Sequence, residues 1–220
     1  MGRYFYIYIL SMCSYIPNQL IDEIEQLKEL GRFDDAMKKI NTILFRDPTN
    51  EDALLQVTDI QYRQGEIGKA SKAIDFLNAK KKNEDPLGLY IKGVLEMEKN
   101  NRLEAKHYLQ KAIELTKAEN HEIIRCYGLC QYWYGNREKG INLLKDSFSL
   151  NNKDAEIVYN LIEIYILEQN YKKAKTMINY FYKNRDKLQT IDKDIEYYDN
   201  KISLFEKFIN TQQMFTPITK

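Results

Sequence analysis

The chain has 220 residues, of which 44% are hydrophobic and 30% charged, with only 9 glycines and 4 prolines. This composition favours helices and is sufficient for a sizeable core. The 33 basic and 32 acidic residues leave a formal net charge of +1, which argues against a nucleic-acid partner held by a concentrated basic face.

Residues 1–16 form an apolar N-terminal segment that is rich in tyrosine between Tyr4 and Leu10. The apolar run is too short to span a bilayer, which takes about 20 residues. One basic residue, an apolar run and Leu10-Ser-Met-Cys13 are similar to a bacterial lipoprotein signal, with Cys13 as the lipidated residue, although Met12 departs from the small residue expected there. The sequence leaves three alternatives open: a segment that packs over the first repeat, a cleaved signal or lipid anchor, and disorder.

A small residue recurs along the rest of the chain at steps of 34, 35, 35 and 34, at Ala36, Ala70, Ala105, Gly140 and Ala174. Each follows a turn-like spot, and mostly apolar residues lie four and seven places beyond it, on the same helical face. A second apolar-periodic segment precedes each turn. The period therefore predicts stacked pairs of antiparallel helices, because no single pair can bury its apolar face alone.

Two glycines, Gly93 and Gly128, occupy equivalent places inside predicted helices. Glycine there costs about 1 kcal/mol relative to alanine. Its recurrence predicts that the second helix of the pair approaches closely and leaves no room for a Cβ.

With the recurring small residue as position 20, the pattern resembles the tetratricopeptide repeat (TPR). The resemblance covers residues 17–188, with predicted repeats at 17–50, 51–85, 86–120, 121–154 and 155–188. It implies an all-α fold, a right-handed α-solenoid of helix-turn-helix repeats. It also implies a non-enzymatic scaffold that binds a peptide or helix of another protein in a concave groove.

In TPR proteins the first helix of each pair lines that groove. The corresponding positions here include aromatic, methionine and arginine side chains, which anchor peptide partners well. The predicted groove residues are Tyr62, Arg63, Tyr90, Met97, Arg125, Tyr132, Trp133, Tyr159 and Asn160. The alternative is that several of them pack between repeats.

The pattern of residues 189–210 predicts a C-terminal capping helix with Thr190 as its N-cap. Residues 211–220 are predicted to form a flexible tail. Its apolar stripe covers the last repeat or, alternatively, forms a coiled-coil seam between two copies, so that the protein is a monomer or a dimer. The stripe consists of Ile191, Ile195, Tyr198, Ile202, Phe205 and Ile209.

The sequence offers little that predicts chemistry. Cys126 and Cys130 fit small core positions, and no catalytic motif, metal-ligand spacing or phosphate loop predicts an enzyme, a metal or a cofactor. An enzyme would need carboxylates gathered in the groove, for example Asp59, Glu122, Glu156 and Glu163. A helical-repeat protein that binds RNA by reading its bases is a further alternative.

The favoured functional prediction is a cytoplasmic interaction module. The alternative is an envelope-attached, TPR lipoprotein-like assembly factor of a pilus or secretion complex.

Overall fold

The computed structural model describes residues 18–81, 84–190 and 193–215, and this part of the chain is helical. Its only non-helical pairing is a single bridge between Asp154 and Gln189. The helices in these residues are α1 (Asn18–Glu29), α2 (Phe33–Arg46), α3 (Glu51–Arg63), α4 (Ile67–Lys80), α5 (Pro86–Glu98), α6 (Arg102–Leu115), α7 (His121–Tyr134), α8 (Arg137–Leu150), α9 (Ala155–Leu167), α10 (Tyr171–Asn184) and α11 (Ile195–Phe215).

The chain forms two compact units, Met1–Lys117 and Ala118–Lys220. Unit 1 contains α1 to α6, and unit 2 contains α7 to α11. Helices follow one another in pairs: α1 with α2, α3 with α4 and α5 with α6 in unit 1, then α7 with α8 and α9 with α10 in unit 2. The first helices from α3 onward begin at the first residues of the predicted repeats, while the repeat boundaries themselves stay a prediction.

The turns inside four of the five pairs share one backbone conformation. Gly31, Gly65, Asn100 and Gln169 have positive φ values of 68°, 77°, 63° and 55°. In each turn the next backbone N–H donates to the carbonyl five residues back, as in Asn170 N to Tyr165 O at 2.7 Å. This is the Schellman pattern, which glycine and asparagine adopt with the least strain.

Short polar side chains start the first helices. Asn50, Asp85, Asn120 and Asp154 precede α3, α5, α7 and α9, and each accepts hydrogen bonds from backbone N–H groups of the first turn. Such caps satisfy donors that have no partner within the helix. The sequence thus marks the start of each of these four pairs.

Close helix approach at glycine, predicted for Gly93 and Gly128, is confirmed. A Cβ on Gly93 would lie 2.6 Å from Leu109 Cγ of α6, and one on Gly128 would lie 3.1 Å from Leu144 Cγ of α8. At Gly140 a Cβ would meet backbone, 2.5 Å from Tyr132 N and 2.7 Å from Gly128 O. This contact explains why glycine stands at 140, where the other pairs have alanine.

Helix α11 caps unit 2, packing on α9 and α10. Tyr198, Ile202 and Ile209 are buried, and Arg185 of the 3₁₀ turn after α10 binds Asp199 at 2.7 Å. The apolar stripe that was proposed as a coiled-coil seam therefore packs within the chain. The fold does not support dimerisation through this stripe.

Helix α11 begins later than predicted. Gln189 N donates to Lys153 O at 2.7 Å and Gln189 O accepts from Ala155 N at 3.0 Å, which holds this stretch extended. Thr190 is therefore not the N-cap, and Asp194 accepts from Tyr197 N instead. The helix also runs beyond 210, to Phe215. Ile191 and Asp192 lie outside the described residues.

Across the described ranges, no helix combines the length and the apolar character that a bilayer crossing requires.

Candidate partner-binding surface

The structure places the nine predicted groove residues in three different environments. Tyr90, Met97, Arg125, Tyr132 and Asn160 are buried. Tyr62, Arg63 and Tyr159 are half-buried, and Trp133 is 42% exposed. Cys13 lies outside the described residues. Most of the predicted surface is thus occupied by contacts within the chain.

In unit 1, a buried lysine joins the first helices of two successive pairs. Lys28 Nζ of α1 lies 2.5 Å from Asp59 Oδ2 and donates to Gln56 Oε1 at 2.9 Å, both on α3. Arg63 Nε also donates to Asp59, at 3.1 Å. Asp59 and Arg63 are therefore held by each other and by Lys28.

In unit 2, a buried arginine has the corresponding role. The guanidinium of Arg125 on α7 holds Glu122 through two hydrogen bonds of 2.6 and 2.7 Å. It reaches α9 through Glu156 at 3.2 Å and Asn160 at 3.0 Å. Burial alone lowers the pKa of Arg125, but the Glu122 and Glu156 carboxylates outweigh it and raise that pKa, so the side chain stays charged.

A tyrosine link also recurs between first helices. Tyr62 donates from its hydroxyl to Glu98 at 3.2 Å in unit 1, and Tyr132 donates to Glu168 at 2.7 Å in unit 2. Burial, with the hydrogen bond to Glu168 as the second cause, raises the pKa of Tyr132 to about 12. These tyrosines fix neighbouring pairs to each other.

The capping helix covers Tyr159. Its ring stacks on Phe205 at a centroid distance of 5.7 Å and meets Tyr198 edge-on at 5.8 Å. Burial raises the pKa of the neighbouring Glu163 carboxyl, although Tyr159 and Lys201 act against the shift. This part of the predicted groove is therefore closed by the chain itself.

Three large apolar side chains of unit 2 stay exposed, and we call them the apolar rim: Trp133, Leu167 and Phe208. They are 42%, 50% and 44% exposed. Trp133 stands next to Tyr132, which reaches Glu168 in that turn, and Phe208 lies 6.5 Å from the Tyr171 ring just after it. Trp133 and Leu167 lie 34 residues apart, at the same place in successive first helices.

Phe208 was missed by the sequence analysis. It lies four residues after Leu204, and both side chains are exposed. That i, i+4 spacing is a signal for a second apolar face on α11, but the stronger stripe through Ile202 and Ile209 masked it.

A cluster of metal-ligand side chains was also missed. Ligand atoms of His121, Glu122 and Asp154 lie within 4.8 Å of one another. Burial raises the pKa of the Asp154 carboxyl, with Arg125 acting against the shift. The sequence signal is weak because Asp154 is 33 residues from His121 and reads as an ordinary helix cap.

The helix pairs have nearly constant length, and contacts between their first helices recur in unit 1 and in unit 2. These features define an α-helical repeat protein. No protein-family profile matches the sequence, and no curated protein matches it.

Solved structures identify the particular type of repeat. TTC0263, a thermophilic TPR protein of Thermus thermophilus, is similar at 19% identity and TM-score 0.69, over 86% of this chain and 98% of that one. PilF of Pseudomonas aeruginosa is similar at 17% identity and TM-score 0.64, over 76% and 75%. YrrB, described as a TPR protein with an unusual peptide-binding site, is similar at 19% identity and TM-score 0.53, over 86% and 90%. The chain therefore has the TPR fold, as its sequence predicted.

Proposed function

We propose that the chain is a non-enzymatic scaffold that binds a peptide or helix of another protein, and that the apolar rim of unit 2 is where the segment binds. The observation that carries the proposal is the exposure of Trp133, Leu167 and Phe208, since the buried groove positions have contacts within the chain. Each of the three lies at the α9–α10 turn or next to a residue that contacts it, and exposed apolar patches are typical of protein interaction sites.

The binding site of YrrB supports the same function, because that protein shares the fold and is described as binding a peptide. The recurrent links between first helices support it further. They hold the surface in one conformation, and a preorganised surface loses less entropy on binding.

Three of the four carboxylates that a hidden enzyme would need support a structural role. Asp59 is paired with Lys28 and Arg63, and Glu122 and Glu156 are paired with Arg125. A carboxylate held by a buried cation is poorly suited to accept a proton from a substrate.

The test compares partner recovery by the wild-type chain and by a Trp133→Ala, Leu167→Ala double variant, using lysate of the native organism. We expect recovery of a specific partner to fall about tenfold or more, since truncating hot-spot residues costs about 1–2 kcal/mol each. Leu103→Ala is the matched control, because Leu103 is 81% exposed on α6 of unit 1. Equal recovery by a double variant of native helicity would contradict the proposal.

A cytoplasmic location is part of the proposal, and it depends on Cys13 being unmodified. Mass spectrometry of the native protein measures this directly. A lipid on Cys13 would instead favour the envelope-attached assembly factor.

A further inference from the structure

We propose that His121 and Asp154, with Glu122, form a binding site for one divalent transition-metal ion of the zinc type in unit 2. The site is distinct from the apolar rim, and the proposal does not depend on the chain binding a protein partner. His121 is the first residue of α7, and Asp154 is the residue that caps α9.

The donor atoms are of the right kind and are close together. His121 Nδ1 is buried, has no hydrogen-bond partner among the described residues, and lies 3.7 Å from Asp154 Oδ2. Asp154 Oδ1 is used by the backbone N–H groups of Glu156 and Ile157, which leaves Oδ2 facing the imidazole. Imidazole nitrogen and carboxylate oxygen are common zinc ligands.

The charges around the cluster favour a cation. Glu122, Asp154 and Glu156 bring three carboxylates to this place, and Arg125 pairs with Glu122 and Glu156. Buried carboxylates are stabilised by positive charge beside them, which a divalent ion would supply.

The equivalent place in unit 1 already contains a cation. There the first residue of α3, Glu51, and the cap of α5, Asp85, both contact the ammonium of Lys81, which is 2.7 Å from Asp85 Oδ2. The corresponding residues in unit 2, 69 or 70 places later, are His121, Asp154 and Asn151. Asn151 has a neutral amide where Lys81 has an ammonium, so unit 2 lacks this protein cation.

Binding would require small local movements. Ligands of one tetrahedral zinc ion lie about 3.3 Å apart, so the three donor atoms must move together by about 1 Å. A metal on Nδ1 places the imidazole proton on Nε2, which is 3.3 Å from Asn151 Nδ2. The Asn151 amide must then present its oxygen and give up its hydrogen bond from Lys153 N. Arg125 donates to both oxygens of Glu122 and orients that carboxylate as its outer-shell partner.

The experiment titrates zinc chloride into the metal-free full chain at neutral pH and follows heat and thermal unfolding. We expect one saturable site and a rise in the unfolding temperature. His121→Ala and Asp154→Asn should each weaken binding about tenfold or more. Asparagine keeps the helix cap, so Asp154→Asn remains informative even if His121→Ala unfolds.

His107→Ala is the matched control, because His107 is the other of the two histidines and is exposed on α6. Its zinc binding should equal that of the wild type, as should that of Cys13→Ser. No saturable binding by the wild type, or binding that neither His121→Ala nor Asp154→Asn weakens, would overturn the proposal.

Discussion

The Tyr132 hydroxyl donates a hydrogen bond of 2.7 Å to Glu168 Oε1, and this bond joins α7 to the end of α9. The two residues are neighbours of Trp133 and Leu167, so the same contact that stabilises unit 2 also positions two residues of the apolar rim. Tyr132 is 4% exposed. In a binding test it should therefore be changed to phenylalanine, because alanine would leave a cavity.

Tyr132→Phe should lower the free energy of unfolding by about 1 kcal/mol, since it removes one hydrogen bond to a partly exposed carboxylate and keeps the ring. Urea denaturation measures the change. Tyr108→Phe in α6 is the control and should change stability by less than about 0.5 kcal/mol. An unchanged midpoint for Tyr132→Phe would show that the bond contributes nothing.

The pKa of Tyr132, raised from 10.0 to about 12, predicts a loss of stability in alkali. The folded state binds the phenolic proton more tightly than the unfolded state, so this contribution is complete below pH 10 and is lost as the pH rises through about 12. Unfolding of the wild type and of Tyr132→Phe should be compared across this range. The difference between them should shrink as the pH rises, and a constant difference would contradict the shift.

Gly140→Ala should destabilise the chain by about 2 kcal/mol or more, because its Cβ would meet the backbone of Tyr132 and Gly128, which cannot move aside cheaply. Gly68→Ala is the matched control: it lies in α4 and a Cβ there meets nothing within 4 Å. This control should stabilise by about 0.5–1 kcal/mol, since alanine is the better helix former. Thermal unfolding by circular dichroism measures both, and equal effects of the two changes would be the contradicting outcome.

Ala118→Gly should stabilise the chain by about 0.5 kcal/mol. Lys117 and Ala118 have φ values of 51° and 56°, a conformation that costs an L residue roughly 1–2 kcal/mol, while glycine adds unfolded-state entropy of about 0.5–1 kcal/mol. Ala79→Gly, at an exposed position in the last turn of α4, is the opposite control and should cost up to about 1 kcal/mol. Chemical denaturation of both variants gives the comparison, and a destabilised Ala118→Gly would mean that the strain is absent.

Arg125→Met should cost about 3–5 kcal/mol, because it leaves the Glu122 and Glu156 carboxylates without their buried cation. Arg137→Met is the matched control, since the Arg137 side chain is 71% exposed where it approaches Glu168. The control should stay within about 1 kcal/mol of the wild type. A mild effect of Arg125→Met in thermal unfolding would show that water replaces the guanidinium.

The sequence predicted the local features of the fold well. The period of 34 or 35 residues, the turn residues Gly31, Gly65 and Asn100, and the close approach at Gly93 all follow from patterns within one repeat. The predicted start of α11 was wrong. The backbone pairing of Gln189 with Lys153 and Ala155 joins distant segments, so no local sequence pattern predicts it.

The candidate surface was less predictable. By its residue type and position, Arg125 was predicted to be an exposed anchor for a partner. Packing of the helix pairs instead places it between Glu122, Glu156 and Asn160. Whether Tyr159 or Phe208 is covered depends on how α11 lies against α9. Side-chain periodicity gives the face of a helix but not the neighbour that covers it.

The sequence by itself determined that helices form, where they pair and at what interval they repeat, because these depend on propensities, caps and spacings within about 35 residues. The tertiary structure decided which side chains of the first helices are left at the surface. Contacts such as Lys28 with Asp59 and Tyr132 with Glu168 join residues about 31 to 36 places apart, and they exist only once neighbouring pairs are stacked.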